Sequence, residues 1–456
     1  MNKIIKYTAT LVFSLTTLGQ ALLAQGDASL MGSRVDPVRI AQNPAYISEE
    51  RVVIGVGLSS LSTRAQLPLS VSQILSKTSE TKSKLYLDEA LTKLGGQPAT
   101  MEVNFGLFLF GLRTKAGFFT LGANLHAQSE GRADKKLTDF FASGNGPYRG
   151  KQVLTKGLEA NVESRIELAL GYATDRLLSS GKLSVGGRVK VLFGQMSART
   201  HNGLLNILTS QDGHELTIEG YQQLQLRMPN FRYTHDALGH LDKLNIGIDQ
   251  GARVSFTNPG FGLDLGASYK LDDRLTLGLS LRNLGFIKWT DGHLLTLDKQ
   301  GSNALHFKGI DISSALTAQK NEDQGNKVGF EAIGEEIKRH LTVQEHVSYT
   351  TSLPLKLHAM ADYQALRWLS LSAMAGMSKL SNSLRPDLAL AVNCMPTRGI
   401  GAHLSVSSLH GSPINLGAGL VLGRRVQFHL AIDNLLMLNL SNVKYAHLST
   451  GLNFRF

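Results

Sequence analysis

The residues most able to do chemistry in this chain do not assemble into a familiar catalytic motif. His235 and His240 stand five apart in one polar stretch. Two imidazoles can hold a divalent ion, but that spacing does not put them on one helix face, which favours two solvated histidines. Cys394 is the single cysteine, so it has no internal partner and reads as a small packing residue. There is no G-x-S-x-G elbow, H-E-x-x-H helix, Walker loop or EF-hand loop. No cofactor or metal site is expected. A hydrolase whose triad is scattered over several strands would leave no local motif, so it stays as a remote alternative.

What does recur is charge at alternate positions. Arg165, Arg188, Lys190, Lys270, Arg282 and Lys356 share polar faces with Glu163, Glu167, Asp264, Asp362 and Asp433. Such a set can make a mildly cationic lining that favours anionic solutes. It can also make an ion-pair mesh that fills a closed interior. The two signs are interleaved along the same faces, which favours the mesh.

The elements that carry these charges have a period of two. Leu183, Val185, Val189, Val191 and Phe193 fall on one face, with Ser184, Arg188 and Lys190 on the other. Leu275, Leu277, Leu279 and Leu281 oppose Thr276, Gly278, Ser280 and Arg282, and Val426 to Ile432 repeats the pattern. Strand side chains alternate between faces, so these segments are β-strands with one apolar and one polar face. At roughly nine to fifteen residues, they are long enough to cross a bilayer at a tilt. Gly171, Gly186, Gly266 and Gly278 occupy polar-face positions, which suits a crowded interior.

Composition agrees. Of 456 residues, 46 are glycine and 18 % are charged, while 42 % are hydrophobic, too many for a disordered chain. After the N-terminus no apolar run is long enough for a membrane helix. Residues 1–24 read as a secretory signal peptide: Lys3 and Lys6, a short apolar stretch, and Ala24 before a cut at Gln25. Its removal takes the net charge from +11 to +9. The basic residues form no stripe, so nucleic acid is not an expected partner.

The expected architecture is all-β: a transmembrane antiparallel up-and-down barrel of about 14 strands, with 12–16 as the range. Residues 25–50 precede it and 51–456 form it. Fourteen segments, from 51–62 to 443–456, alternate between short and long connections. Every long connection (63–100, 129–157, 202–259 and 288–352) falls on the side where extracellular loops belong. Segments 71–94 and 329–341 read as helices within such loops, and 214–256 as an extracellular hairpin. Trp289, Trp368, Phe286 and Tyr172 lie near strand ends, which places them at membrane boundaries or in ordinary packing. Segments 202–259 and 288–352 together carry −4, leaving +13 for the rest of the mature chain.

A few short stretches carry a resemblance. The last strand closes on Leu452, Phe454 and Phe456, which looks like the terminal signal read by the barrel-assembly machinery. Asn43-Pro44-Ala45 stands just before strand one, and Pro44 keeps Asn43 extended. Gly260–Ala267, Leu281–Trp289 and Ala431–Leu435 complete the likeness. Together they resemble the FadL-type and PorV-like outer-membrane barrels of Bacteroidota, and within them an uncharacterised outer-membrane family. The resemblance implies a 14-strand barrel in the bacterial outer membrane with a short N-terminal segment in the lumen. The expected function is a channel or transporter without catalysis. The alternative is a structural or accessory barrel for type IX secretion or envelope biogenesis. Outer-membrane lipid and lipopolysaccharide, the assembly machinery and secretion-system components are the partners so implied.

Overall fold

The structure is a computed structural model and describes residues 28–66, 92–247, 254–299, 304–308, 336–380, 383–435 and 445–456. The signal segment with Ala24 and Gln25, and most of the two loop helices, lie outside them. Of those helices, 92–94 and 336–339 are described and helical.

Fourteen strands form a closed antiparallel barrel. They are β1 (Val52–Gln66), β2 (Ala99–Arg113), β3 (Phe118–Ala133), β5 (Leu158–Thr174), β6 (Leu183–Thr209), β10 (Asn258–Lys270), β11 (Leu275–Lys299), β14 (Lys356–Leu366), β15 (Leu369–Leu380), β16 (Ser383–Thr397), β17 (Ile400–Ser408), β18 (Asn415–Leu422), β19 (Val426–Ile432) and β20 (Tyr445–Arg455). Each pairs with its neighbour, and β1 closes on β20 from Val53–Arg455 to Gln66–Tyr445. A closed ladder leaves no edge to satisfy, which is what lets strands stand in lipid.

Sidedness is the reverse of a soluble protein. Leu390, Leu404 and Leu416 are exposed, while Asn393, His403 and Ser405 between them are buried. In β20, Leu452, Phe454 and Phe456 turn outward and Tyr445, His447, Ser449 and Asn453 inward. The apolar faces thus meet lipid and the polar faces meet each other.

The wall does not stop where the sequence suggests. β6 has 27 residues and β11 has 25, well beyond a membrane crossing. Their outer halves pair with β7 (Glu215–Arg227), so part of the expected separate hairpin is an extension of the wall. Among the described residues only β8 (Asn230–His235) and β9 (Leu241–Gly247) form a separate hairpin. Short strands β4 (Gln152–Thr155) and β12 (Leu305–Lys308) join the same extension through β6 and β7. β13 (Thr342–Ser352) pairs with outer β11, and β14 with inner β11, so the two read as one strand broken at Leu353-Pro354-Leu355. Proline cannot donate to a ladder, which accounts for the break.

Two helices escaped the period-two reading. α1 (Asp36–Gln42) lies in the N-terminal segment with Pro37 in its first turn, a favoured place for proline. α2 (Lys135–Ser143) is capped by Asp134, which accepts from the Lys136 N–H. Its Leu137 and Phe140 pack on Val153, Ile207, Leu216 and Phe307, a small apolar core at the long-loop end.

Trp289 takes the packing alternative rather than the membrane boundary. It is fully buried on the lumen side, packed with Leu192, Ile287, Tyr349 and Leu353, and its indole N–H donates to Thr351 Oγ1 at 2.9 Å. The cause is a bulge. Asn283 has φ 62° and its N–H donates to Asp264 Oδ1 at 2.7 Å, where the β10–β11 register shifts. One extra residue exchanges the faces of everything beyond it, so Ile287 and Trp289 turn in while Leu284 and Phe286 turn out. Trp368, Phe286 and Tyr172 are exposed on the outer surface.

Candidate functional site: the lumen and its N-terminal segment

Residues 28–50 lie inside the barrel, and the wall holds them by their backbone. Arg188 donates to the Ile40 carbonyl, and Arg282 to that of Ala41 at 2.8 Å. Ser184 reaches the Ala45 carbonyl at 2.6 Å, Gln427 that of Arg34 at 3.2 Å and Arg113 that of Ser48 at 2.9 Å. In return Asn43 donates to the Ala267 carbonyl at 3.1 Å. A short helix leaves terminal carbonyls without intrahelical partners, and here guanidinium groups of the wall supply them.

Side chains add latches around the circumference. Arg39 pairs with Asp362 at 2.8 Å and Arg455 with Asp36 at 2.6 Å. Ser29 donates from Oγ to Asp433 Oδ1 at 2.5 Å, and His447 holds the other oxygen of that carboxylate. The carboxylate stands between serine and imidazole, so the ring is not placed to take the serine proton as a hydrolase triad requires. Leu30, Val35 and Val38 bury against Val421 and Ala431, and Ile40 against Val53 and Phe118.

Wall glycines make room for the segment. A Cβ on Gly186 would overlap the Pro44 carbonyl, and one on Gly266 would overlap Asn43 Oδ1. The Asn43-Pro44-Ala45 stretch is therefore seated in close contact with the wall. The glycines at polar-face positions were the sequence signal for it.

The charged residues come together in pairs. Arg165 meets Glu163 at 3.0 Å, with Thr351 on the other Glu163 oxygen at 2.8 Å. Lys190 lies between Asp264 at 2.8 Å and Glu167 at 3.3 Å, and Arg188 is 3.3 Å from Asp264. Lys356 and Arg64 share Glu102 at 3.2 and 3.3 Å. Arg282 contacts His358, which in turn binds Asp387 at 2.9 Å. This is the interleaved mesh rather than a ring of free cations. Lys270 stands apart: it is exposed at the short-turn end of β10.

His410 was not singled out by sequence. In the β17–β18 connection it is buried, with φ 54°, and Arg64 donates to its Nδ1 at 2.7 Å. Burial, then the neighbouring guanidinium, push its imidazole down to about 3. Nothing local to His410 in sequence signals this, because Arg64 lies on the far side of the chain order.

Beyond the segment, toward the long loops, the lumen opens into a polar vestibule. A cavity of about 280 Å³ is lined by Glu130, Arg132, Lys156, Glu159, Arg199 and Gln222. Arg132 pairs with Glu159 at 2.6 Å, and Arg385 with Glu130 at 2.7 Å. A second hollow, bounded by Arg64, Glu102, Lys356 and His410, shares Glu130 and Asn161 with it. Charged side chains of both signs alternate with Asn161, Thr200, Gln222 and Ser383 along the lining. Among the described residues no group of histidine, cysteine and carboxylate side chains is placed to hold a metal, and His240 bonds to its own hairpin through Asp236.

Solved structures similar to this chain include outer-membrane channels. One is described as the TodX deltaS2S3 mutant monoaromatic hydrocarbon channel, at 10 % identity over 92 % of this chain and 94 % of that one, TM-score 0.43. A Pseudomonas aeruginosa FadL homologue shares 12 % identity over 95 % and 96 %, TM-score 0.41. The P. putida toluene transporter TodX shares 10 % over 95 % and 99 %, TM-score 0.42. No curated protein matches the sequence. One family model does, over residues 44–433, which runs from the seated Pro44 to the latch at Asp433, and the chain belongs to that family of unknown function, DUF5723.

Proposed function

We propose that this protein is an outer-membrane channel of the FadL/PorV type, without catalysis, in which residues 28–50 close the lumen. The observation that carries this reading is the docking of that segment on wall side chains from β6, β11, β14 and β20. Its hydrogen bonds and ion pairs can exchange for water, while Leu30, Val35, Val38 and Ile40 add apolar contacts that must part for it to leave. The vestibule above it is lined by polar side chains with charges of both signs, which supports small polar solutes as cargo over hydrocarbons. Under this reading residues 1–24 direct export and Leu452, Phe454 and Phe456 present the assembly signal. The long loops then face outward among lipopolysaccharide.

Planar-bilayer recording tests it. The full chain should show low or intermittent conductance, and deletion of 28–50 should give large, stable openings. Silence from both proteins, each shown to be folded by heat-dependent gel mobility, would overturn the channel.

One observation favours a second reading, an accessory barrel for type IX secretion or envelope biogenesis. The ion-pair mesh fills the lumen, and β6, β7 and β11 carry the wall on into an external sheet fit for contact. Crosslinking in outer membranes would separate the two: recovery of secretion components supports the accessory role, and recovery of the barrel alone counts against it.

A further inference from the structure

The six short turns share a feature that neither the lumen nor the loops explain. Each carries an exposed cation: Lys115, Arg176, Arg274, Arg367, Arg398 and Arg424, one for each of β2–β3, β5–β6, β10–β11, β14–β15, β16–β17 and β18–β19. In all, these turns hold eight Lys and Arg against three Asp, an excess of five. Of the carboxylates, Asp272 is turned back on its own loop and accepts the N–H groups of Arg274 and Leu275 at 2.7 Å. None of the six cations is in an ion pair among the described residues, in contrast to the lumen, where opposite charges meet. The excess also accounts for much of the positive charge that the acidic long connections leave to the rest of the chain.

The ring's level is set by its neighbours. Arg367 is followed by exposed Trp368, Arg398 lies two residues before exposed Ile400, and Arg424 lies between exposed Leu422 and Val426. Tyr172, exposed on the outer wall, donates its hydroxyl to the Ala116 carbonyl beside Lys115. Aromatic and aliphatic side chains next to charged tips mark the boundary between hydrocarbon and headgroups. The cations therefore encircle the barrel at headgroup depth. A docked protein would ask for a patch on one side, whereas a ring with a member in every turn matches a ligand present on all sides.

We propose that this rim binds the headgroups of anionic phospholipids, of the phosphatidylglycerol class, in the leaflet that meets the short turns. Guanidinium forks bind phosphate oxygens in two parallel hydrogen bonds, and five of the six named cations are arginine. The assignment depends on the barrel and its lipid band, not on whether the lumen conducts.

The test uses the full chain in mixed micelles with equimolar phosphatidylglycerol and phosphatidylcholine, repurified and its retained lipid measured. Phosphatidylglycerol should exceed phosphatidylcholine by about five-fold or more at low salt, and the preference should collapse at high salt. The combined variant Arg398→Gln, Arg424→Gln, Arg425→Gln should lose most of it, while Arg232→Gln with Lys243→Gln in the β8–β9 hairpin should keep it. Heat-dependent mobility shows that each variant is folded. Equal retention of the two lipids by the full chain, or an undiminished preference in the triple variant, overturns the proposal and leaves the rim to an acidic protein.

Discussion

Arg455, in the last strand, places its Nε 2.6 Å from Oδ2 of Asp36, at the start of the luminal helix, with both side chains buried. The N-terminal segment is thus tied to the strand that closes the barrel against β1. Asp36→Asn leaves the guanidinium buried with Glu50 at 3.7 Å as its remaining carboxylate. Removing one partner of a buried pair costs about 3 kcal/mol at the low end of what such pairs show. The temperature at which the folded band converts on gels should fall, and protease should gain access to 28–50. An unchanged conversion temperature would show that the pair does not hold the segment.

Steric exclusion gives a second prediction. Gly186→Ala drives a methyl into the Pro44 carbonyl, which belongs to backbone and cannot swing aside. Overpacking of this kind costs about 1–3 kcal/mol. The cheapest relief is to unseat the segment, since the wall is held by ladders on both sides. Channel openings should become more frequent in Gly186→Ala than in Gly131→Ala, whose added carbon meets nothing within 4 Å. Identical opening frequencies would remove the Asn43-Pro44-Ala45 seat from the gate.

The two tryptophans should report opposite environments. Trp289 is buried on the lumen side and Trp368 is 46 % exposed on the outer surface. In brominated phospholipid, emission from Trp368 in a Trp289→Phe protein should be strongly quenched. Emission from Trp289 in a Trp368→Phe protein should be little affected. Equal quenching would mean that the bulge at Asn283 does not turn β11 as described.

His410 supplies a pH dependence. Burial and Arg64 hold its imidazole near 3, well below the ordinary 6.5. A basic group depressed in the folded state contributes its full stability above about pH 6.5. That contribution is lost as pH falls from 6.5 toward 3, because the unfolded chain takes up the proton first. Protonation would also set a second cation beside Arg64, with Lys356 near and Asp387 and Glu102 only partly compensating. His410→Gln keeps an acceptor for Arg64 but cannot protonate, so its stability should fall less steeply over that range. Equal acid limbs in urea unfolding would exclude His410 as the titrating group.

The barrel was legible in the residue pattern alone. Alternation in β6, β11 and β19 is local, and each residue's face follows from its neighbours two places away. Turn lengths then set the strand count and the end at which the long loops lie. The glycines facing Asn43 and Pro44 were legible as crowding, though not as a seat for those residues. What fills the lumen, by contrast, follows from contacts made across the closed barrel. Arg455 and Asp36, or Arg64 and His410, lie hundreds of residues apart and meet through closure of the ladder, which no local pattern encodes. The bulge at Asn283 hides in the same way: one inserted residue exchanges the two faces beyond it, and its anchor, Asp264, lies on the neighbouring strand.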